Sequence, residues 1–239
     1  MNTQPDPARL DGRLDPAISR WLWLVKWLLI IPHVVVLFLL WCAMLVLTAA
    51  AGLAILFTGR YPRAIFDFNV GVMRWTWRVS FYSIGAFGTD KYPPFSLQPD
   101  PSYPADFSVD YPQRLSRGLV LVKWWLLALP QLLIVAIFAG GREFGRNTAW
   151  HVTGGGGVIG LLALIAAVIL AVSGRYPQRI FGLVMGVNRW CYRVLAYAAL
   201  MRDEYPPFRL DAGGPDPGHL APLPAMPPAP QPAAAGSRP

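Results

Sequence analysis

Three long apolar runs, separated by more polar segments, set the rhythm of this chain. The first extends from Ile18 to Thr58 with only isolated polar residues. The second is LVLVKWWLLALPQLLIVAIFA at 119–139, and the third is VIGLLALIAAVILAVS at 158–173. A bilayer core is about 30 Å thick and takes about 20 apolar residues per helix. Unpaired backbone groups are not tolerated there, so such runs must be helical. The pattern predicts an all-α integral membrane protein.

A second pattern follows the first and third runs. GRYPRAIFDFNVGVMRWTWRV (59–79) and GRYPQRIFGLVMGVNRWCYRV (174–194) share twelve of twenty-one positions without a gap. The agreement spreads outward. RWLWLVKWLLIIPH (20–33) matches RGLVLVKWWLLALPQ (117–131), pairing Lys26 with Lys123, and DKYPPFSL (90–97) matches DEYPPFRL (203–210). Three blocks in the same order identify a tandem duplication, which fixes the architecture before anything else. The units are a polar N-terminal segment (1–17), repeat one (18–97), a linker (98–113), repeat two (114–210) and a Pro/Ala-rich tail (211–239). The tail's composition cannot build a core.

Half two carries a polar, glycine-rich insert, GGREFGRNTAWHVTGGGG (140–157), between its apolar runs. That predicts a membrane hairpin, and repeat logic predicts another in half one, folding back near Trp41 and Cys42. About four transmembrane helices result. A rival places the helix before Pro32 in the interface, followed by one long span, because proline breaks helices.

Each Tyr-Pro suits a helix start, predicting helices over 63–86 and 178–201. Asp67, Gly71, Arg74 and Arg78 then share one narrow face, and Gly182, Gly186, Arg189 and Arg193 form its copy. Gly182 and Gly186 also make a Gly-x-x-x-Gly packing face. Trp and Tyr mixed with arginine are typical of the membrane–water boundary. Both helices are therefore expected in the cytoplasmic interface. The counter-model makes each a further span, giving six spans and inverted halves.

Composition changes the picture little. Hydrophobic residues are 54% and charged residues 14%, which excludes an ordinary water-soluble globule. The net charge of +8 is spread along membrane-flanking segments, so nucleic acid is not the expected partner. Lys and Arg in short loops mark the cytoplasmic side, and anionic headgroups are natural partners for them. The mixed charges of MNTQPDPARLDGRLDPAIS do not have the form of a cleavable signal peptide. The expected location is the plasma membrane, multi-pass, with cytoplasmic termini.

Catalytic chemistry is poorly supplied. The three histidines (His33, His151, His219) lie in unrelated contexts, and Glu143 and Glu204 are the two glutamates. No metal-ligand spacing, phosphate loop or cofactor motif is present, and the two cysteines lack a disulfide or metal pattern. Neither an enzyme nor a metal or cofactor is expected.

Both halves keep cations and aromatics instead. Arg60, Arg74, Arg78 and Tyr61 of half one correspond to Arg175, Arg189, Arg193 and Tyr176 of half two. This set suits holding phosphate-type anions. It equally suits side chains that snorkel and seat the fold. Lys26 and Lys123 sit inside apolar runs, where a charge costs roughly 2.5–3.5 kcal/mol on insertion scales. Asp67 is a candidate partner for Lys26, although Gly182 replaces it in half two.

The ordered blocks Lys26–Trp27…Pro32–His33, GRYP, Arg74–Trp75…Arg78–Val79 and YPPF resemble a bacterial membrane family known only as domain of unknown function 4389. The resemblance covers about 18–97 and 114–210, departing at Gln131 where half one has Pro-His. It implies a multi-pass membrane protein and transfers no catalytic residue. The function expected is that of a non-enzymatic scaffold or accessory protein engaging anionic headgroups, a membrane-protein partner or a second copy of itself. The alternative is a small transporter or channel with Lys26 and Lys123 in a path between the repeats.

Overall fold

The computed structural model describes residues 7–123, 133–135, 138 and 157–206. Most of the second apolar run, the insert up to 156, His151, His219, Phe208 and the 211–239 tail lie outside the described residues. In chain order the elements are β1 (Ala8–Gly12), α1 (Trp23–Leu29), α2 (Ile31–Thr58), α3 (Arg63–Tyr82), β2 (Ala105–Val109), α4 (Arg117–Val122), α5 (Gly157–Ser173) and α6 (Gln178–Ala198).

Half one does not fold back at Trp41–Cys42. Helix α2 runs unbroken for 28 residues. No glycine or proline interrupts it between Val34 and Ala51, and no polar turn is written there. Pro32 sits in the first turn of α2, where a missing N–H leaves no bond unmade. Ile30 keeps helical torsions, and its N–H donates to Lys26 O at 3.1 Å, so α2 follows α1 directly. The observed arrangement is a short helix before Pro32 and a single long helix after it, the helix pattern of the rival reading.

With a mean hydropathy of 2.7, α2 is, among the described residues, the one helix long and apolar enough to cross a bilayer. The 17-residue α5 is apolar but shorter. One face of α2, carrying Leu37, Met44, Thr48, Ala51 and Ile55, is buried. The other exposes Val34, Val35, Phe38, Leu39, Leu45, Val46, Leu53 and Phe57. A continuous apolar surface of this extent marks contact with lipid or another protein.

Both apolar helices stop by the same device. Gly59 (φ 72°) and Gly174 (φ 71°) adopt the left-handed conformation, and their N–H groups donate to Ile55 O and Leu170 O at 2.7 and 2.8 Å. That caps orphan carbonyls at a helix end. Thr58 Oγ1 and Ser173 Oγ each donate to the carbonyl four residues back, at 2.7 Å. Pro62 and Pro177 then stand as the N-caps of α3 and α6, so GRYP is a written helix–turn–helix corner.

Helix α3 runs antiparallel along α2, with Trp41 Nε1 donating to Thr76 Oγ1 at 3.1 Å and Asn69 Nδ2 to Thr48 Oγ1 at 3.0 Å. It also meets α6, where Trp77 packs on Tyr192 (5.5 Å) and Phe81 on Phe181 (6.2 Å). These two helices lie inside the protein rather than along its outer surface. From Asn69 to Tyr82 and from Val184 to Tyr197 they are almost wholly buried, forming one core with both repeats in it.

What covers them was not anticipated. Strands β1 and β2 pair antiparallel, with Leu10 opposite Phe107. Ala8, Leu10, Ala105 and Phe107 point into the core. At Gly12 an added Cβ would meet Phe81 at 2.6 Å and Met185 at 2.9 Å, so the ribbon lies tightly over both helices. The polar N-terminal segment and the 98–113 linker thus contribute a sheet to an otherwise helical fold. Two or three alternating apolar positions per strand are too few for a period-two signal.

Candidate functional site

The repeated cations fall into three environments. The first is a lysine seat, built once in each half. Lys26 is fully buried, and its Nζ donates to Thr89 O at 2.6 Å and pairs with Asp90 Oδ1 at 2.8 Å. Lys123, 1% exposed, donates to Arg202 O and pairs with Asp203 Oδ1, both at 2.6 Å. Each ammonium also lies 4.8 Å from an aromatic centroid, Tyr82 in one half and Tyr197 in the other. The second carboxylate oxygen accepts a backbone N–H, from Ser19 to Asp90 (2.5 Å) and from Ser116 to Asp203 (2.6 Å).

The partner of Lys26 is therefore Asp90, not Asp67, which pairs with Arg63 one helical turn away at 3.2 Å. The signal was available: Asp90 and Asp203 open the DKYPPF and DEYPPF blocks and are kept in both halves. The block laces onto α1 and α2 residue by residue. After Asp90 on Lys26, Tyr92 OH donates to Leu29 O (3.1 Å), and Phe95 stacks on His33 at 3.9 Å. Trp75 Nε1 donates to His33 Nδ1 at 3.1 Å, burying the imidazole in an aromatic cage.

The second environment holds the arginine stripes, which face inward against the ribbon. Arg74 Nε donates to Phe107 O (2.9 Å), and Nη1 donates to Leu97 O (2.9 Å). Arg78 Nη1 donates to Gln98 O at 2.9 Å. Asp106 Oδ1 takes both guanidiniums, at 3.0 Å from Arg74 and 3.2 Å from Arg78. Burial lowers the Arg74 pKa, and the Asp106 charge opposes that shift. In half two, Arg189 Nε donates to Leu10 O at 3.1 Å, and Arg193 is buried. Arg74, Arg78, Arg189 and Arg193 thus lie within the protein rather than facing headgroups. A helical wheel finds the stripe but not the ribbon that receives it.

Tyr61 and Tyr176 belong with this internal set. Tyr61 OH donates to Ala199 O at 3.2 Å, and Tyr176 OH donates to Ala86 O at 2.5 Å. Burial pushes both phenols above their ordinary range, keeping them protonated as donors. Asn69 and Thr48 oppose the shift at Tyr61.

The third environment is outside. Arg60 and Arg175 are exposed in the corners that end α2 and α5. The opposite repeat adds an arginine to each corner. Arg117 Nε lies 3.5 Å from the position of a Cβ on Gly59, and the Arg20 guanidinium lies directly against that on Gly174. Leu115 N donates to Gly59 O at 3.0 Å, fixing Arg117 there. Arg20 and Arg117 were legible as matched heads of the first repeated block, but their placement on the other repeat's corner was not.

A cavity of about 220 Å³ lies between α3 and α6, lined by Thr76, Ser80, Ile159, Asn188, Cys191 and Tyr192 among others. Neither Lys26 nor Lys123 lines it. Among the described residues no three His, Cys, Asp or Glu side chains converge as metal ligands.

These features define a class: a duplicated, mainly helical protein with an apolar outer surface and its repeated charges largely internal. The chain belongs to the family described as Domain of unknown function (DUF4389), whose family model matches residues 20–96 and again 152–209, two tandem copies. Nothing matches among curated proteins or solved structures.

Proposed function

We propose that this is a non-enzymatic membrane scaffold or accessory protein that sits in the bilayer through α2 and α5. It engages anionic lipid headgroups with the exposed corner arginines. The observation that carries the reading is the coincidence of two boundaries. Each apolar helix ends at a left-handed glycine, and at that point one arginine from each repeat is exposed: Arg60 with Arg117, and Arg175 with Arg20. Guanidinium groups bind phosphate oxygens through a planar fork, and headgroup phosphates lie where a membrane helix ends. Basic corners also favour the cytoplasmic leaflet, which fits the plasma membrane as location.

The full chain with Arg20, Arg60, Arg117 and Arg175 all changed to Gln tests this. Retention on phosphatidylglycerol-containing vesicles is expected to fall severalfold, while retention on phosphatidylcholine alone stays the same. Equal retention of variant and parent on both vesicles would refute headgroup engagement. Solute flux through vesicles bearing the parent protein would instead favour the transporter reading.

A further inference from the structure

We infer that the buried seam between the repeats is a dimer interface made intramolecular: each half is completed by the other, and contact rather than the peptide connection holds them together. The contacts are reciprocal. Leu10 of β1 stands opposite Phe107 of β2, the pair through which a local two-fold axis passes. The carbonyl of each accepts from a stripe arginine of the other half, Phe107 O from Arg74 at 2.9 Å and Leu10 O from Arg189 at 3.1 Å. The GRYP tyrosines repeat the exchange, Tyr61 to Ala199 O and Tyr176 to Ala86 O. So do the corner arginines, Arg117 on Gly59 and Arg20 on Gly174. Residue i contacting j while j's counterpart contacts i's is the signature of a two-fold, self-complementary interface.

The strands belong to the repeats rather than between them. Ala8 stands to Ala105 in the sequence as Arg20 stands to Arg117, so β2 is the copy of β1 and the duplication begins at the ribbon. One position on the ribbon has diverged between the repeats. Asp106 of β2 receives Arg74 and Arg78, whereas its counterpart in β1 is Arg9. In the folded chain Arg9 pairs with Asp110 of the same ribbon.

A protease site inserted after Pro99, in the exposed 98–102 stretch, tests the inference on the whole protein in detergent. After cleavage the two pieces are expected to co-elute as one species in equal amounts and to unfold as one. The cut protein's unfolding midpoint should fall on dilution, and the uncut protein's should not, because cutting makes association a mass-action event. Adding Tyr61→Phe and Tyr176→Phe should make the cut halves part at lower denaturant than the parent halves. Pieces that separate on cleavage in detergent, or a cut protein whose midpoint ignores both dilution and the tyrosine changes, would overturn it.

Discussion

The lysine seats and the arginine stripes are both buried, both cationic and both written twice, yet they do opposite topological work. Lys26 reaches Thr89 and Asp90, and Lys123 reaches Arg202 and Asp203, each within its own repeat. Arg74 and Arg189 reach across to the other repeat's strand. The chemistry follows the task. A lysine seat closes a point charge with one carboxylate, one carbonyl and an aromatic face. An arginine stripe uses the planar fork to collect backbone carbonyls from the ribbon and from the chain before it, together with the shared Asp106 carboxylate. Residue type and repetition alone do not reveal whether a kept charge folds its own unit or joins two units.

The largest effect that would break this contrast is removal of a seat carboxylate. Asp90→Ala leaves a fully buried ammonium with one carbonyl partner, and a destabilisation of roughly 3–5 kcal/mol is expected from such a broken pair. Thermal unfolding in detergent measures it, and Asp203→Ala should behave alike. Lys26→Met combined with Asp90→Asn should recover most of the loss, since replacing both partners of a buried pair is often near neutral. A double variant as unstable as Asp90→Ala would mean that the charge itself is required.

Asp106→Asn probes the stripe. Both guanidiniums keep carbonyl acceptors at Leu97, Gln98 and Phe107, so a smaller loss of about 1–3 kcal/mol is expected. A loss matching that of Asp90→Ala would erase the distinction between the two kinds of cation site. Tyr176→Phe should cost about 0.5–1.5 kcal/mol, the worth of one hydrogen bond, and Tyr61→Phe more, because its hydroxyl also accepts from Asn69 Nδ2 at 3.0 Å.

Alkaline pH gives a related readout. Burial raises both phenols above the ordinary value of 10.0, so the folded state favours the neutral form. Their contribution is fully present below pH 10.0 and is lost as pH rises through the folded values. The double Phe variant should show a shallower alkaline decline in unfolding midpoint than the parent. The smallest effect is at the corners. Arg60→Gln and Arg117→Gln lie on the surface and should change stability by no more than about 0.5 kcal/mol, separating headgroup contact from folding.

Much of this molecule was legible as strings. The repeat, the GRYP corners, the starts of α3 and α6 near residues 63 and 178, and the apolar helices all follow from local patterns. Helix punctuation and hydrophobic runs act over a few residues and need no partner to be read. The fold-back expected near Trp41 failed because it was borrowed from half two by analogy, while the local sequence there, without glycine, proline or a polar turn, specified continuous helix. Asp90 is readable as the lysine's partner, since both copies of YPPF carry an aspartate at that place, whereas Asp67 of the stripe has no counterpart in half two.

The sequence by itself determined that the chain is two copies of one helical unit with long apolar runs, and which cations and tyrosines each copy retains. Tertiary structure alone decided where those groups point. Partners such as Leu10 and Arg189, or Tyr61 and Ala199, are far apart in the chain. They meet because a short two-stranded ribbon and a packed pair of helices place one repeat's donors against the other's carbonyls. Backbone carbonyls leave no mark on amino-acid identity, so an arginine that binds them reads, in sequence, like one that faces water.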